Sequence, residues 1–231
     1  MLGLNLHQRV QPNTVSPPQK EGAKAPVVYP LSWSARENAA YTAEILKSMN
    51  QPDRILAYYR DGERRLEVIA FFSALVQSEE IAAAILVNAD KFSIPPSLAF
   101  ALCWGESRFD HRAVNRENRN RTVDRGLFQL NNESFPKLNE ADFFNPALNA
   151  YYGMAHLRWC LDAGGSDVAG LAMYNAGTNR VNAGSTPRHT LDHVSRILEF
   201  RNGVESIFQV EYVQRLPPHP QQEVLIAKSP W

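Results

Sequence analysis

The stretch CWGESRFDHRAVNRENRNRTVDRGLFQLN, residues 103–131, sets one acidic residue, Glu106, at the end of an apolar run and follows it with a polar segment rich in asparagine and arginine. Just upstream, IPPSLAFALC at 94–103 begins with paired prolines, Pro95 and Pro96, which a helix tolerates only near its N-terminus. The pattern predicts a helix running to about Ser107, with Glu106 at its C-terminal end. A carboxylate at that end opposes the helix dipole, so its placement asks for an explanation. Leu102 and Cys103 lie one turn earlier, with Trp104 and Phe109 close in sequence. Apolar neighbours disfavour the ionised carboxyl and raise its pKa toward neutrality, which is what a general acid needs. Read alone, a helix-end glutamate pointing at solvent is the ordinary case.

Outward from this stretch the chain reads as mainly α. Residues 1–30 hold Pro12, Pro17, Pro18, Pro26 and Pro30 among polar residues, the composition of a flexible arm. Ser34 with Glu37 three residues on forms a capping signature for SARENAAYTAEILKSMN at 34–50. The segments at 53–62, 63–76 and 78–92 continue in helical style, the last capped by Ser78 with Ile81, Ile85 and Leu86 on one face. His111 to Asp124 is expected to form a polar loop with a turn or short hairpin. NPALNAYYGMAHLRWCLDAGG at 145–165 is a helix stopped by Gly164 and Gly165, and DVAGLAMYNAG at 167–177 a short one stopped by Gly177. TLDHVSRILEFRN at 190–202 closes the core, and SIFQVEYVQRL at 206–216 is expected to hold one strand before a tail. The expected organisation is an arm over 1–30, accessory helices over 31–75, a catalytic domain over 76–201 and a C-terminal extension over 202–231.

Among 231 residues, 24 basic and 24 acidic side chains cancel, which argues against a whole-protein field recruiting nucleic acid or an anionic membrane. No apolar run reaches the roughly 18 residues a membrane span needs. The opening MLGLNLHQRV is too short and polar for a signal peptide, so work outside the cytoplasm implies an export signal removed or replaced. The two cysteines, Cys103 and Cys160, exclude a multi-cysteine zinc site and read as small core residues, with a single bridge as the alternative. The six histidines contain no H-E-x-x-H pattern. His156 and Cys160 stand four apart on a helix but lack a third ligand, so packing is their expected role and no metal is expected. Neither a phosphate loop, a dinucleotide fingerprint nor a hydrolase serine elbow is present, and no cofactor is expected. Arg116, Arg119, Arg121 and Arg125 cluster in the polar loop, where a solvated surface or one meeting acidic groups of a substrate is more natural than nucleic acid.

Three motifs in order, GESRFDHRAV at 105–114, RGLFQLN at 125–131 and AMYNAG at 172–177, resemble the catalytic domain of the soluble lytic transglycosylases, of the lysozyme-like superfamily, over roughly residues 78–200. The resemblance implies a lysozyme-like fold with additional N-terminal helices. It implies cleavage, without water, of the β-1,4 bond between N-acetylmuramic acid and N-acetylglucosamine in peptidoglycan, leaving 1,6-anhydromuramoyl ends. Glu106 would be the sole acid/base, first protonating the glycosidic oxygen and then taking the proton of the sugar's 6-hydroxyl. Ser107 would orient the glutamate or contact an acetamido group, or else cap the helix end. Gln129 would bond the glycan or brace the cleft, with Gly126 permitting close backbone approach and Phe128 and Leu130 in the core. Asn131 reads as a loop cap or a sugar contact. Met173, Tyr174 and Asn175 would line the cleft near the reacting sugar. The implied partner is the glycan strand, the implied place the periplasm or cell envelope, and the expected state a monomer.

Two positions depart from this pattern. Where the family places a tyrosine in the closing helix, this chain has His193, which either replaces it as a hydrogen-bond donor near Glu106 or faces solvent. TVDRGLFQLN at 122–131 also resembles the c-type lysozyme segment in which the aspartate is a second catalytic carboxylate. A lysozyme-type hydrolase using Glu106 and Asp124 is therefore the alternative, and it requires the two carboxyls roughly 5 Å apart. Against it stand AMYNAG, which belongs to the transglycosylase pattern, and the expectation that Asp124 pairs with Arg108, Arg121 or Arg125. A non-catalytic peptidoglycan-binding or scaffolding protein on the same fold is the remaining reading.

Overall fold

The computed structural model describes residues 52–118 and 121–213, with Thr42, Ala43, Leu46 and Lys47 besides. The chain divides into two compact units, residues 1–50 and 51–231, and the architecture below belongs to the second. The arm over 1–30 lies outside the described residues. So does the helix expected from Ser34, apart from those four residues, which are helical.

Helices α1 (Arg54–Arg60), α2 (Arg65–Val76), α3 (Glu79–Lys91) and α4 (Pro96–Ser107) follow one another through short turns. Their starts obey local chemistry: the Asp53 carboxylate accepts from the Leu56 amide and the Ser78 hydroxyl from that of Ile81, while Pro96 takes the first turn of α4. A three-stranded antiparallel sheet of two-residue strands comes next: β1 (Val114–Asn115), β2 (Asp124–Arg125) and β3 (Leu130–Asn131). The short hairpin expected in the polar loop is thus present, and a third strand extends it. Helices α5 (Glu140–Phe144), α6 (Pro146–Gly164), α7 (Asp167–Ala176), α8 (Thr178–Asn182) and α9 (Arg188–Phe208) complete the unit. Gly165 and Gly177 stand at the C-caps of α6 and α7 with φ of 67° and 85°, where the sequence places its stop signals.

One hydrophobic cluster runs from Ile55 to Phe208. Phe72 of α2 stacks on Phe100 of α4 with centroids 4.0 Å apart, and Ile85, Leu98, Leu102, Met154, Leu157 and Ile197 are wholly buried around them. Each such side chain contributes about 1.5–3 kcal/mol on burial. Helices α1 and α2 are part of this cluster through Ile55, Tyr59, Val68 and Phe72, so their apolar faces are covered by the same core that carries the site.

The strand expected within 206–216 is not formed over the described part. Helix α9 runs without a break through residues 201 and 202 to Phe208, and a π-helical turn follows at Gln209–Val213. The β-branched and aromatic residues there sit at helical spacing. Val204 and Phe208 are buried, and the rings of Phe208 and Tyr212, four apart, stack at 5.3 Å and meet Phe71 edge-on. Packing against α2 overrides the local strand preference. Among the described residues no helix is long and apolar enough to cross a membrane.

Candidate active site

Glu106 sits in the last turn of α4, and its position depends on the residue before it. A Cβ on Gly105 would stand 2.8 Å from Ile197 Cγ1 and 3.3 Å from His193 Cε1 of α9. Glycine therefore lets the two helices approach closely enough for His193 Nε2 to lie 3.2 Å from Glu106 Oε1. The two side chains are only 15 % and 12 % exposed. Of the two readings of His193, the structure takes the one beside Glu106. Apolar packing holds this wall: Trp104 stacks on Phe200 at 4.4 Å, and the Arg108 guanidinium lies 3.4 Å above the Trp104 ring.

The chain leaves α4 under strain. Arg108 and Phe109 have φ of 55° and 67°, left-handed values that cost a non-glycine residue of order 1–3 kcal/mol and cluster at functional sites. Ser107 is buried, and its hydroxyl donates to the Cys103 carbonyl at 3.2 Å. It bonds back to its own helix, four residues earlier, and does not line the cleft.

Across from this wall the sheet register does the positioning. Asn115 is paired with Asp124, and Asp124 with Asn131, so the carboxylate stands between two amides in a row across three strands. Asn131 Nδ2 donates to Asp124 Oδ1 at 2.7 Å, and Asn118 and Asn115 donate to Oδ2 at 2.8 and 3.2 Å. Asn131 also donates to the Thr122 hydroxyl at 2.6 Å. The arginine pairing expected of Asp124 is not found among the described residues. Arg108 lies over Trp104, Arg125 reaches Glu140, and the charge of Asp124 is met by amides that the strand register presents directly.

This sheet is hung on α6 by Asn149, which is wholly buried. Its amide donates to the Arg125 and Phe143 carbonyls at 3.0 and 2.8 Å and accepts from the Phe128 amide at 2.8 Å. Gly126, at φ 77°, is needed beside it, since a Cβ there would come within 2.3 Å of the Asn149 amide and 2.2 Å of the Phe143 carbonyl. Gln129, itself at φ 45°, donates to the Ala113 and Gly126 carbonyls and so braces the turn. Phe128 and Leu130 are core residues, as expected.

The two walls enclose a cleft of about 1120 Å³, lined by Glu106, Asp124, Gln129, Asn131, Met173, Tyr174 and Asn175 among others. The Tyr174 hydroxyl donates to the Phe128 carbonyl at 2.9 Å. Its burial, then the charge of Glu106, hold the phenol well above its ordinary pKa, so it remains a neutral donor. Asn175 accepts from the Thr190 hydroxyl at 2.8 Å, which leaves its NH₂ group to donate.

Residues 83–192 match the family model described as the transglycosylase SLT domain. Over this segment the chain is similar to the transglycosylase SLT domain. No curated protein and no solved structure matches the chain. At the family level an SLT domain is a lysozyme-like module of lytic transglycosylases that acts on peptidoglycan. The matched segment holds Glu106, Asp124, Gln129, Asn131 and the 173–175 triplet, and it stops one residue short of His193.

Sequence reasoning passed over several residues of the matched segment. Asn149 is a lone asparagine inside a helical pattern, which is itself a signal, because an amide there competes with the helix unless it bonds elsewhere. His156, read only as packing, lines the cleft with its ring 4.9 Å from that of Tyr174. Burial lowers its pKa. Cys103 and Cys160 are free and buried; burial raises both thiols, that of Cys160 to about 12, which leaves them unreactive.

Proposed function

We propose that the protein is a peptidoglycan lytic transglycosylase of the cell envelope that cleaves the β-1,4 bond between N-acetylmuramic acid and N-acetylglucosamine, with Glu106 as the sole acid/base. One observation carries this reading: both oxygens of Asp124 accept from a set of three side-chain amides, whereas the Glu106 carboxyl faces the cleft with His193 as its one hydrogen-bond partner among the described residues. Glu106 protonates the glycosidic oxygen as the bond to the anomeric carbon breaks. As the carboxylate, it then removes the proton of the muramoyl 6-hydroxyl while that oxygen closes on the anomeric carbon. No water is consumed and the product is the 1,6-anhydro sugar. His193 acts on the glutamate as a positioning residue. Asn175 and the backbone dipoles around Tyr174 offer donors to the acetamido groups, and Met173 supplies apolar surface. Asp124, held between its amides, contributes fixed negative charge facing the oxocarbenium-like transition state.

A second reading, a lysozyme-type hydrolase in which Asp124 attacks the anomeric carbon, is favoured by the presence of both carboxyls in one cleft. Digestion of purified peptidoglycan followed by mass spectrometry separates the two. Anhydromuramoyl ends are expected; reducing ends would establish the hydrolase, and a strand left uncut would leave a glycan-binding protein.

A further inference from the structure

The cleft continues beyond the residues placed around the reacting sugar. A second recess of about 570 Å³ is lined by Trp159, Asn179, Ala176, Gly177, Thr178 and Arg180, and the last four of these also line the main cleft. The two spaces therefore share a rim formed by the end of α7 and the start of α8. The recess lies within the roughly 300–1,000 Å³ typical of small-molecule sites.

Trp159 is 54 % exposed. A single exposed apolar side chain is ordinary on a protein surface, but this one is held in place: its indole stacks on the His156 ring at 6.0 Å and 11°, and His156 in turn lines the main cleft. The Arg180 guanidinium has no ion-pair partner among the described residues and stands on the rim common to both spaces. A flat, pre-oriented π face and a guanidinium that has no ion-pair partner among the described residues, lining one recess, suit a ligand with one apolar ring face and a polar edge. A pyranose has that form, offering axial C–H groups to the indole and hydroxyl and acetamido oxygens to the guanidinium.

We propose that Trp159 and Arg180 form a further glycan-binding subsite that holds an N-acetylhexosamine ring of the strand outside the pair being cleaved. The ring stacks on the indole and its acetamido carbonyl accepts from Arg180. This rests on the peptidoglycan-strand reading above. The subsite adds affinity for long strands and none for short ones, which end within the main cleft.

The test uses the full chain carrying Glu106→Gln, which blocks turnover, with peptide-free N-acetylglucosamine–N-acetylmuramic acid oligosaccharides from disaccharide to octasaccharide, titrated calorimetrically. Affinity is expected to rise with length. Trp159→Ala should weaken the longest oligosaccharide about ten-fold and leave the disaccharide unchanged. Trp159→Phe should restore most of the loss, and Arg180→Gln should give a smaller, equally length-dependent one. Length-dependent binding that Trp159→Ala leaves intact overturns the subsite alone. Absence of binding at every length overturns the peptidoglycan reading and the subsite with it.

Discussion

The two walls of the cleft present one carboxyl each and hold it by opposite means. On the helical wall Glu106 emerges from apolar packing of α4 on α9, with Gly105 setting the helix separation and His193 as its hydrogen-bond partner. On the sheet wall Asp124 is the centre of a polar lattice of Asn115, Asn118, Asn131 and Thr122. A carboxyl that must gain and lose a proton benefits from a sparse, low-dielectric setting, whereas one that must stay put benefits from many donors. On the proposed mechanism the same functional group takes two roles, and the surroundings of each carboxyl support that division.

The sharpest way to break that division is to neutralise each carboxyl in turn. Glu106→Gln should lower peptidoglycan cleavage by roughly 10³-fold, the scale of a lost general acid and base, with an unchanged melting curve. Asp124→Asn keeps the shape but sets an NH₂ group among donors. It should keep activity within about ten-fold of the parent while costing about 1 kcal/mol of stability, as a part-buried NH₂ group is set against donors that lose their acceptor. Release of soluble fragments from purified peptidoglycan and urea unfolding measure the two effects. If Asp124→Asn is as inactive as Glu106→Gln at full stability, the walls do not divide the roles in this way.

Asn149 sharpens the comparison, because it ties the sheet wall to α6. Asn149→Ala removes three hydrogen bonds to backbone groups of the β2–β3 region and of α5, in a site too enclosed for easy rehydration. A loss of about 3 kcal/mol or more in urea unfolding is expected, with unpaired partners contributing most of it. A change below about 1 kcal/mol would mean that the sheet is held by its own strands and not by α6.

How much of this was legible in the sequence follows from the reach of each interaction. Glu106 and the ends of α4, α6 and α7 were legible, because a carboxyl after an apolar run, paired prolines and terminal glycines act within a turn of themselves. The row Asn115–Asp124–Asn131 was not, since only strand register brings residues 9 and 7 positions apart side by side. Asp124 was therefore assigned to arginines, the commonest nearby cations. Gly105 reads as a weak helical residue until α9 lies against it. Ser107, beside the glutamate, invited a role in the site, yet its hydroxyl turns back to Cys103 within its own helix. At the C-terminus, aromatic and β-branched residues signalled a strand, and only the docking of Phe208 and Tyr212 on Phe71 shows that their four-residue spacing was the stronger signal.

The smallest expected effect concerns the floor between the walls. His156 lies between Trp159, on which it stacks, and Tyr174, which it meets at a tilt, and burial lowers its pKa from the ordinary 6.5. As pH falls below 6.5 the unfolded chain takes up this proton before the folded one does, so acidification favours unfolding. The stabilising contribution is complete above pH 6.5 and is lost as pH drops through the lower value of the folded state. Its closest polar neighbours do not confuse the reading: the Cys160 thiol, 3.8 Å from Nε2, is pushed up to about 12, and the Tyr174 phenol is held well above its usual value. Thermal unfolding followed from pH 7.5 to 5 should therefore show a steeper loss of midpoint for the parent than for His156→Gln, which keeps a polar side chain but cannot titrate. Equal slopes would mean that the ring is solvated enough to protonate in place, and the floor would then belong with the wet, polar wall instead of the apolar one.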